Sequence, residues 1–379
     1  MKNLFYLLMF FSFFPFICFF DIGTDTQPYA FIVSLLIIIF LSGFRTPVLL
    51  LPLLLSSILA VLILIVYGKY GMLEFRSLFN YLSVTAISYA SYIGIKKTGG
   101  IKEKHIKLMI NIWFMIGLIQ TFIKRDFLLF LVAGGRTSLE RGVTNLTSEP
   151  SFYGYMIVFA LLFVMDFKEK RYLYIMNLLI QLFVFAQSAV AIVYLMVYLL
   201  LLLAKNVLRA SPASMLRIVT TALICLIGLT LYFNIYPNSR ATVLLNSIVS
   251  DPQAVYLKDA SVRARVNHIA KPLKEAVRYK LFPAGYSKAL EDLGYRRIMS
   301  GYGAAIYELG IIGIIIVLNI FYIVFTADRH SNHKMNSVYV SIIMFSAIQL
   351  ASPILAFYLG YVLNLNSSEC QHKKLNGIL

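Results

Sequence analysis

The stretch Tyr172–Leu203, YLYIMNLLIQLFVFAQSAVAIVYLMVYLLLLL, decides the fold. It runs for 32 residues without a charge and has a polar pair in its middle, at Gln187 and Ser188. A bilayer-crossing helix needs about 20 apolar residues, so this run is too long for one crossing. Two crossings joined by a tight hairpin at the polar pair fit better, because backbone polar groups in hydrocarbon must be satisfied within helices. Similar runs recur on either side, from Leu4 to Leu365. The spans read as 4–20, 28–44, 47–67, 77–95, 106–123, 151–166, 172–186, 189–204, 217–236, 302–325, 337–351 and 353–365. The last two flank Ser352–Pro353 and also fit one kinked helix.

Composition agrees. Hydrophobic residues make up 60% of the 379 positions and charged residues 13%, against about a quarter charged in soluble domains. The expected fold class is all-α, a polytopic transmembrane helical bundle of about 11–12 helices. A single bundle occupies 1–379, and no polar stretch is long enough for a soluble domain with its own core. Met1–Phe20 looks like a signal peptide, but its apolar run is long and no small-residue cleavage site precedes Asp21. It reads as a retained first helix.

The net charge of +17 resembles a nucleic-acid signal, but half the basic residues gather in short loops. Lys2, Arg45, the five lysines of Lys96–Lys107, Lys168–Arg171, Lys205–Arg217, Arg329–Lys334 and Lys373–Lys374 all alternate onto one side. Excess Lys and Arg in short loops marks the cytoplasmic face, where they also meet anionic headgroups. Two long segments, 124–150 and 237–300, then face outward, and the second reads as a small helical cap. Cys18, Cys225 and Cys370 are too scattered for a disulfide framework or a metal site.

Polar residues inside spans are costly and need a reason. Asn80, Gln120, Gln187, Ser188, Glu308, Gln349 and Ser352 sit at outward helix ends. They could ring an outward cavity or simply hydrogen-bond between helices. Glu308 is the rarest of these, an intramembrane carboxylate with either a functional role or an arginine partner.

Gly134–Gly154 is the densest stretch in chemistry. Pro150 fits a first helical turn, with Thr147 or Ser148 able to cap it. The amino end of that helix would attract phosphate oxygens, and Arg136 and Arg141 lie just upstream. Glu149 would repel a phosphate, and so either orients an arginine or accepts a proton. An ordinary capped helix with surface charges is the plain alternative.

The second cluster runs from Asp259 to His268 and on through Lys271, Lys274, Arg278 and Lys280. From Pro237 to Ser300 there are eleven Lys and Arg against five Asp and Glu. Helical spacing puts Arg263 and Lys271 on one face, with Arg265 and His268 three apart on another. His268 is a candidate base or a structural histidine. The rival reading is an amphipathic helix lying on headgroups. No Walker lysine loop, His-Glu-x-x-His, metal-spaced Cys pair, Gly-x-Ser-x-Gly elbow or Asp-x-Asp pair is present. The expected chemistry uses no metal and no cofactor, with arginines as countercharge.

These clusters, together with Gly301-Tyr-Gly-Ala-Ala-Ile-Tyr-Glu-Leu-Gly-Ile-Ile-Gly313, resemble the O-antigen and capsular polysaccharide polymerases of the O-antigen polymerase and ligase superfamily. The resemblance spans roughly 120–365. It rests on Arg141-Gly142…Ser148-Glu-Pro-Ser151, on Ser261-Val-Arg263 opening the long outer loop, and on Glu308–Gly313. The turn Phe282-Pro-Ala-Gly285 departs from the commoner Gly-x-Gly. The resemblance implies an architecture like the GT-C glycosyltransferases. It also implies a glycosyltransferase of the cytoplasmic membrane that polymerises polyprenyl-pyrophosphate-linked oligosaccharide repeats into a surface polysaccharide on the extracytoplasmic side. Arg136, Arg141, Arg263, Arg265 and Arg278 would hold the pyrophosphate. Glu149 or His268 would deprotonate the acceptor hydroxyl, and Glu308 would position an arginine. Partners would be the lipid-linked oligosaccharide, membrane lipid, and a chain-length regulator and flippase, with no nucleic acid. A ligase onto another acceptor, a flippase or transporter for the same lipid, and a non-catalytic scaffold are the alternatives.

Overall fold

A computed structural model describes the chain except for residues 1, 21–24, 42–45, 68–69, 137–140, 208–227, 229, 232, 238–239, 252–255, 258, 296–297, 327–330, 346–349 and 376–379. In chain order its helices are α1 (Lys2–Phe13), α2 (Tyr29–Phe40), α3 (Leu51–Tyr67, entered through a 3-10 turn at Val48–Leu50), α4 (Met72–Thr98) and α5 (Glu103–Phe122). Next come α6 (Pro150–Val164), α7 (Arg171–Ile180, prolonged by a π-helical stretch Gln181–Ala186), α8 (Ala189–Val207), α9 (Arg240–Ser250) and α10 (Ala260–Arg278). The last are α11 (Ala289–Leu293), α12 (Gly301–Leu309), α13 (Ile311–Thr326), α14 (Ser331–Phe345) and α15 (Pro353–Leu375). Among the described residues the fold is all-α, with one isolated bridge between Ile17 and Val132. Val48–Tyr67 and Glu103–Phe122 are long and apolar enough to cross a membrane; other apolar helices, such as Pro150–Val164 and Ile311–Thr326, are shorter.

Contacts divide the chain into two compact units. The first is Met1–Pro15 with Pro28–Ile101 and Asp259–Leu379, and the second is Phe16–Gln27 with Lys102–Lys258.

In the first unit, α15 is central, and Ile354 through Leu359 are all buried. A helix enclosed on every side must be apolar on every side, which explains the run PILAFYLGYVL. Small residues bring α15 against α4. A Cβ on Gly360 would lie 2.5 Å from the Ser88 carbonyl oxygen, and Ser88 Oγ donates to the Ala356 carbonyl at 3.0 Å. Helix α3 is apolar on both faces. Its buried face mixes Ser56, Ser57 and Ala60 with Leu53, Ile63 and Leu64, and Ser57 Oγ lies 2.6 Å from Thr85 Oγ1 of α4, while Leu55, Ile58, Leu62 and Val66 are exposed.

Two expected spans differ in this unit. Span 4–20 ends as a helix at Phe13, because Pro15 cannot donate and biases Phe14 away from helical angles. Span 302–325 is two helices, α12 and α13, broken at Gly310 with φ 59°. The break is filled by the segment Leu281–Gly285. The N–H groups of Ala284 and Gly285 donate to the carbonyls of Tyr307 and Glu308, both at 3.1 Å, and Ile311 N–H donates to the Leu281 carbonyl at 2.9 Å. Those carbonyls are among the last of α12, which have no partner within their own helix. A Cβ on Gly310 would stand 2.2 Å from the Leu281 oxygen. Sequence alone concealed the break, since a single glycine is tolerated in a helical pattern and its partner segment lies far upstream.

In the second unit α6 is the enclosed helix, with Tyr153 and Tyr155 through Ala160 all buried. Gly154 admits Ala191 of α8, which would lie 2.5 Å from an added Cβ. Tyr153 OH donates to Gln181 Oε1 at 2.7 Å, and Gln181 Nε2 donates to the Ile110 carbonyl of α5 at 3.2 Å. This amide therefore ties three helices at the first residue of the π stretch. The 172–203 run breaks where the polar pair predicted: Gln187 takes φ 44° and α8 starts at Ala189. The expected span at 217–236 lies largely outside the described residues, as does Gln349.

Gly310→Ala is expected to destabilise the purified chain by at least about 2 kcal/mol, from backbone strain alone before the clash is counted. Gly294→Ala also occupies a positive φ, but an added Cβ there meets nothing within 4 Å. It should cost less. Thermal unfolding of the two variants in one detergent measures the difference.

Candidate functional site

The candidate residues fall in two places, one in each unit. In the second unit they sit on an irregular segment that is buried from Gly142 to Ser148. Buried non-helical backbone must find partners inside the protein. Asn145 is the hub, at φ 55°, a conformation that Asn tolerates better than most residues. Its N–H donates to Gln120 Oε1 at 2.7 Å, and its Nδ2 donates to the Trp113 carbonyl at 2.6 Å. Gln120 Nε2 reaches the Phe127 and Asn145 carbonyls at 2.7 and 3.2 Å. Val143 N–H donates to the Phe185 carbonyl at 2.7 Å. Arg125 Nη2 donates to the Arg141 carbonyl and, at 3.3 Å, to that of Gly142. Gly142 is required here, since a Cβ would lie 2.1 Å from the Ala186 oxygen.

The segment delivers the N-terminus of α6. Pro150 takes the first helical position, as expected, but the N-cap is Glu149 and no side chain caps the helix. Neither expected hydroxyl serves. Thr147 Oγ1 faces the Thr144 and Glu149 carbonyls at 2.7 and 2.8 Å. Ser148 Oγ is buried without a hydrogen-bond partner among the described residues. Glu149 is half-buried, with Oε1 3.2 Å from Arg136 Nη1 and Oε2 accepting from Ser151 Oγ at 3.3 Å. Arg136 itself is exposed. The side chain of Arg141 is half-buried, with no hydrogen bond or ion pair among the described residues. Thr137–Glu140 lie outside them.

In the first unit, α10 packs on α12. The expected division of its faces is present: Arg263 and Lys271 are exposed, Arg265 is half-buried and His268 is buried. Pro272 inside α10 cannot donate to the His268 carbonyl, and Gly303 of α12 fits against that oxygen, 2.9 Å from where a Cβ would stand. His268 Nδ1 accepts from Met299 N–H at 3.3 Å, and its ring lies 4.0 Å from that of Tyr295. Arg278 is exposed and paired with Glu275 at 3.1 Å. Arg265 is unlike these. Its Nη1 is closed off from solvent and has no hydrogen-bond partner among the described residues.

Among the described residues Glu308 meets no arginine. Its carboxylate is buried and accepts from Tyr81 OH at 2.6 Å and from Ser77 Oγ at 3.2 Å, both on α4. Two neutral donors replace the expected cation. Ser77 and Tyr81 are spaced i, i+4 on α4 and so present their hydroxyls on one face. Tyr286, from the segment after Gly285, is buried beside them and donates to the Ala60 carbonyl of α3 at 2.8 Å.

Asp292 also escaped the sequence reading. Its Oδ2 accepts from Tyr279 OH at 2.7 Å and from Tyr307 OH at 2.6 Å, joining α10, α11 and α12. Burial alone would raise the Asp292 carboxyl, but these two hydrogen bonds, with Lys288 and Arg278 nearby, outweigh it and hold the carboxyl low. The Tyr279 phenol is pushed up to about 12, chiefly by its hydrogen bond to Asp292. Among the described residues no three His, Cys, Asp or Glu side chains converge as metal ligands would.

Gln120→Leu removes the partners of the Asn145 and Phe127 backbone at once. A loss of about 3 kcal/mol is expected, since each buried group left unsatisfied costs about 1–3 kcal/mol; equilibrium unfolding of the purified chain measures it. A carboxyl held low in the folded state binds fewer protons than when unfolded. Its stabilisation is therefore complete above the unfolded carboxylate range and disappears as pH falls through the lowered value. Acidification should thus release α11 early, seen as faster hydrogen exchange over Ala289–Leu293, and Asp292→Asn should flatten that dependence.

No protein family, curated protein or solved structure matches this chain, so its functional reading rests on its own residues.

Proposed function

We propose that the chain is a multi-pass protein of the cytoplasmic membrane that polymerises polyprenyl-pyrophosphate-linked oligosaccharide repeats at the extracytoplasmic face. Several features favour a membrane setting. Helix α3 buries its hydroxyls and exposes Leu55, Ile58, Leu62 and Val66, an exposed face that suits hydrocarbon as solvent. Helix α4 supplies a ruler. Its Ser77 meets Glu308 near one end, and Lys97 stands in its last turn. Those 20 residues correspond to about 30 Å of helix, the thickness of a hydrocarbon core. The start of α1, the end of α2 and the end of α4 gather at the lysine end, as helices running alternately across a bilayer would. The basic end then faces the cytoplasm, and α10, α11 and Leu281–Gly285 cap the outer end. On this reading the shorter apolar helices complete the bundle of about 11–12 spans.

Arg265 carries the functional part. Burying part of a guanidinium without a partner is costly, and such orphans point to a ligand that supplies the missing acceptor. A diphosphate ester is a fitting acceptor, because it is anionic and takes two N–H bonds side by side. Arg263, two residues earlier on the same helix, faces the other way and is exposed, so it is a weaker candidate. Arg278 and Arg136 are already paired with carboxylates and are weaker candidates; Arg141 is open on its own unit.

During transfer the acceptor hydroxyl attacks the anomeric carbon, the bond to the diphosphate oxygen breaks, and that oxygen gains charge. A preorganised guanidinium stabilises the growing charge without having to reorganise. His268 already spends Nδ1 on the Met299 N–H and serves better as a positioning residue that fixes α10. Glu308, held by Tyr81 and Ser77, fixes α12 against α4. The hydroxyl proton leaves to water at the outer boundary as the new bond forms.

Purified chain in liposomes with lipid-linked repeats tests this. Arg265→Ala should cut elongation by about 10²–10³, the usual loss when one charge-stabilising donor is removed, with the protein still folded. Arg265→Lys separates paired hydrogen bonding from bare charge. Elongation unchanged in Arg265→Ala refutes the assignment. Transfer to a different acceptor without elongation identifies a ligase, and lipid movement without any transfer identifies a flippase.

A further inference from the structure

At the lysine end of the first unit, the start of α1, the end of α2 and the end of α4 enclose a cavity of about 420 Å³. Phe5, Ile37 and Phe40 are among its walls, and Lys2 of α1 and Lys97 of α4 stand at its edge. Gly94 makes the seat for Phe5, since a Cβ there would lie 2.3 Å from the ring. Phe5 and Ile37 are buried, but Phe40 is 66% exposed. One lining residue, Phe40, is thus reachable from outside, and it adjoins the exposed apolar face of α2, which carries Leu36 and Ile39.

The combination restricts the occupant. A small soluble anion would have no use for walls of Phe5, Ile37 and Phe40. A purely apolar molecule would have no use for two ammonium groups at the rim. An amphiphile with an anionic head matches both, head at the lysines and chain leaving along Phe40. We propose that this cavity binds an anionic phospholipid of the inner leaflet, its phosphate between Lys2 and Lys97 and the start of one acyl chain against Ile37 and Phe40. The inference rests on the membrane reading above, which puts this end of α4 at the cytoplasmic headgroups, where anionic lipids and basic residues attract one another.

Lys97 also has a plainer use. With Lys96 it occupies the last turn of α4, where cations suit the helix dipole. Lys96 provides the control. It shares that turn and the same loop charge, but it lies over the Tyr92 ring at 5.7 Å and does not line the cavity.

The test is native mass spectrometry of the full chain, carrying a C-terminal tag and delipidated in detergent. Phosphatidylglycerol is titrated in, with phosphatidylcholine of the same chains as reference. Retention of phosphatidylglycerol over phosphatidylcholine is expected. It should weaken about five-fold in Lys2→Gln or Lys97→Gln and about twenty-five-fold in the double variant, with Lys96→Gln close to wild type. Equal loss in Lys96→Gln would show diffuse surface attraction and overturn the site. So would unchanged retention in the double variant, or displacement of the lipid by millimolar inorganic phosphate. Alkaline carbonate extraction of the same membranes keeps the two readings apart. A protein that washes off sinks the membrane reading, whereas one that stays but ignores phosphatidylglycerol sinks only the lipid site.

Discussion

A chain this apolar can interrupt a helix only where the freed backbone groups find partners inside the protein. Water is scarce in such an interior, and each unsatisfied N–H or C=O costs more than one hydrogen bond returns. Both places that gather candidate residues are interruptions of this kind. In the first unit the irregular segment Leu281–Gly285 fills the gap between α12 and α13, taking carbonyls from one helix and giving a carbonyl to the other. In the second, Gly142–Ser148 runs buried and irregular into α6, its polar groups met by Gln120, Arg125 and the Asn145 side chain. Regular helix would place only side chains at these points. Broken helix also brings backbone ends and tightly held polar side chains, from which a binding surface can be made.

The sequence disclosed what is local. Charge-free apolar runs announced helices, Gln187 and Ser188 marked a break, Pro150 marked a helix start, and three-residue spacing separated Arg265 and His268 from Arg263 on α10. It concealed what is distant. Gly310 lies within an apolar run and reads as an ordinary tolerated glycine, because the segment that needs the gap comes about 30 residues earlier in the chain. The partners of Glu308 were hidden for a similar reason. Ser77 and Tyr81 lie more than 200 positions away, and a buried carboxylate requires hydrogen-bond donors rather than a cation as such. Asn145 and Asp292 were missed because short polar residues in loops are usually solvated, and only tertiary contacts make these two into hubs.

Occupancy then discriminates among cations that composition cannot tell apart. Thirty-four Lys and Arg residues give a chain of +17, and nearly any of them could be assigned to an anion on charge alone. In the structure Arg136 and Arg278 hold carboxylates, and Arg125 holds two carbonyls. Each of these arginines already has a job that accounts for its position. Arg265 has none among the described residues, and its Nη1 is sealed from water that might substitute.

That asymmetry bears on the rival reading of α10 as an amphipathic helix resting on headgroups. A headgroup-facing helix directs its cations outward, where long side chains keep their charge hydrated. Arg263, Lys271 and Lys274 do so, and they fit either reading. Arg265 points the other way, toward the side that also carries His268 and packs on α12. A cation turned inward gains nothing from a lipid surface and loses hydration. The two readings of α10 therefore divide between its faces: the outer one suits a charged surface, and the inner one is where the proposed anion would find a donor.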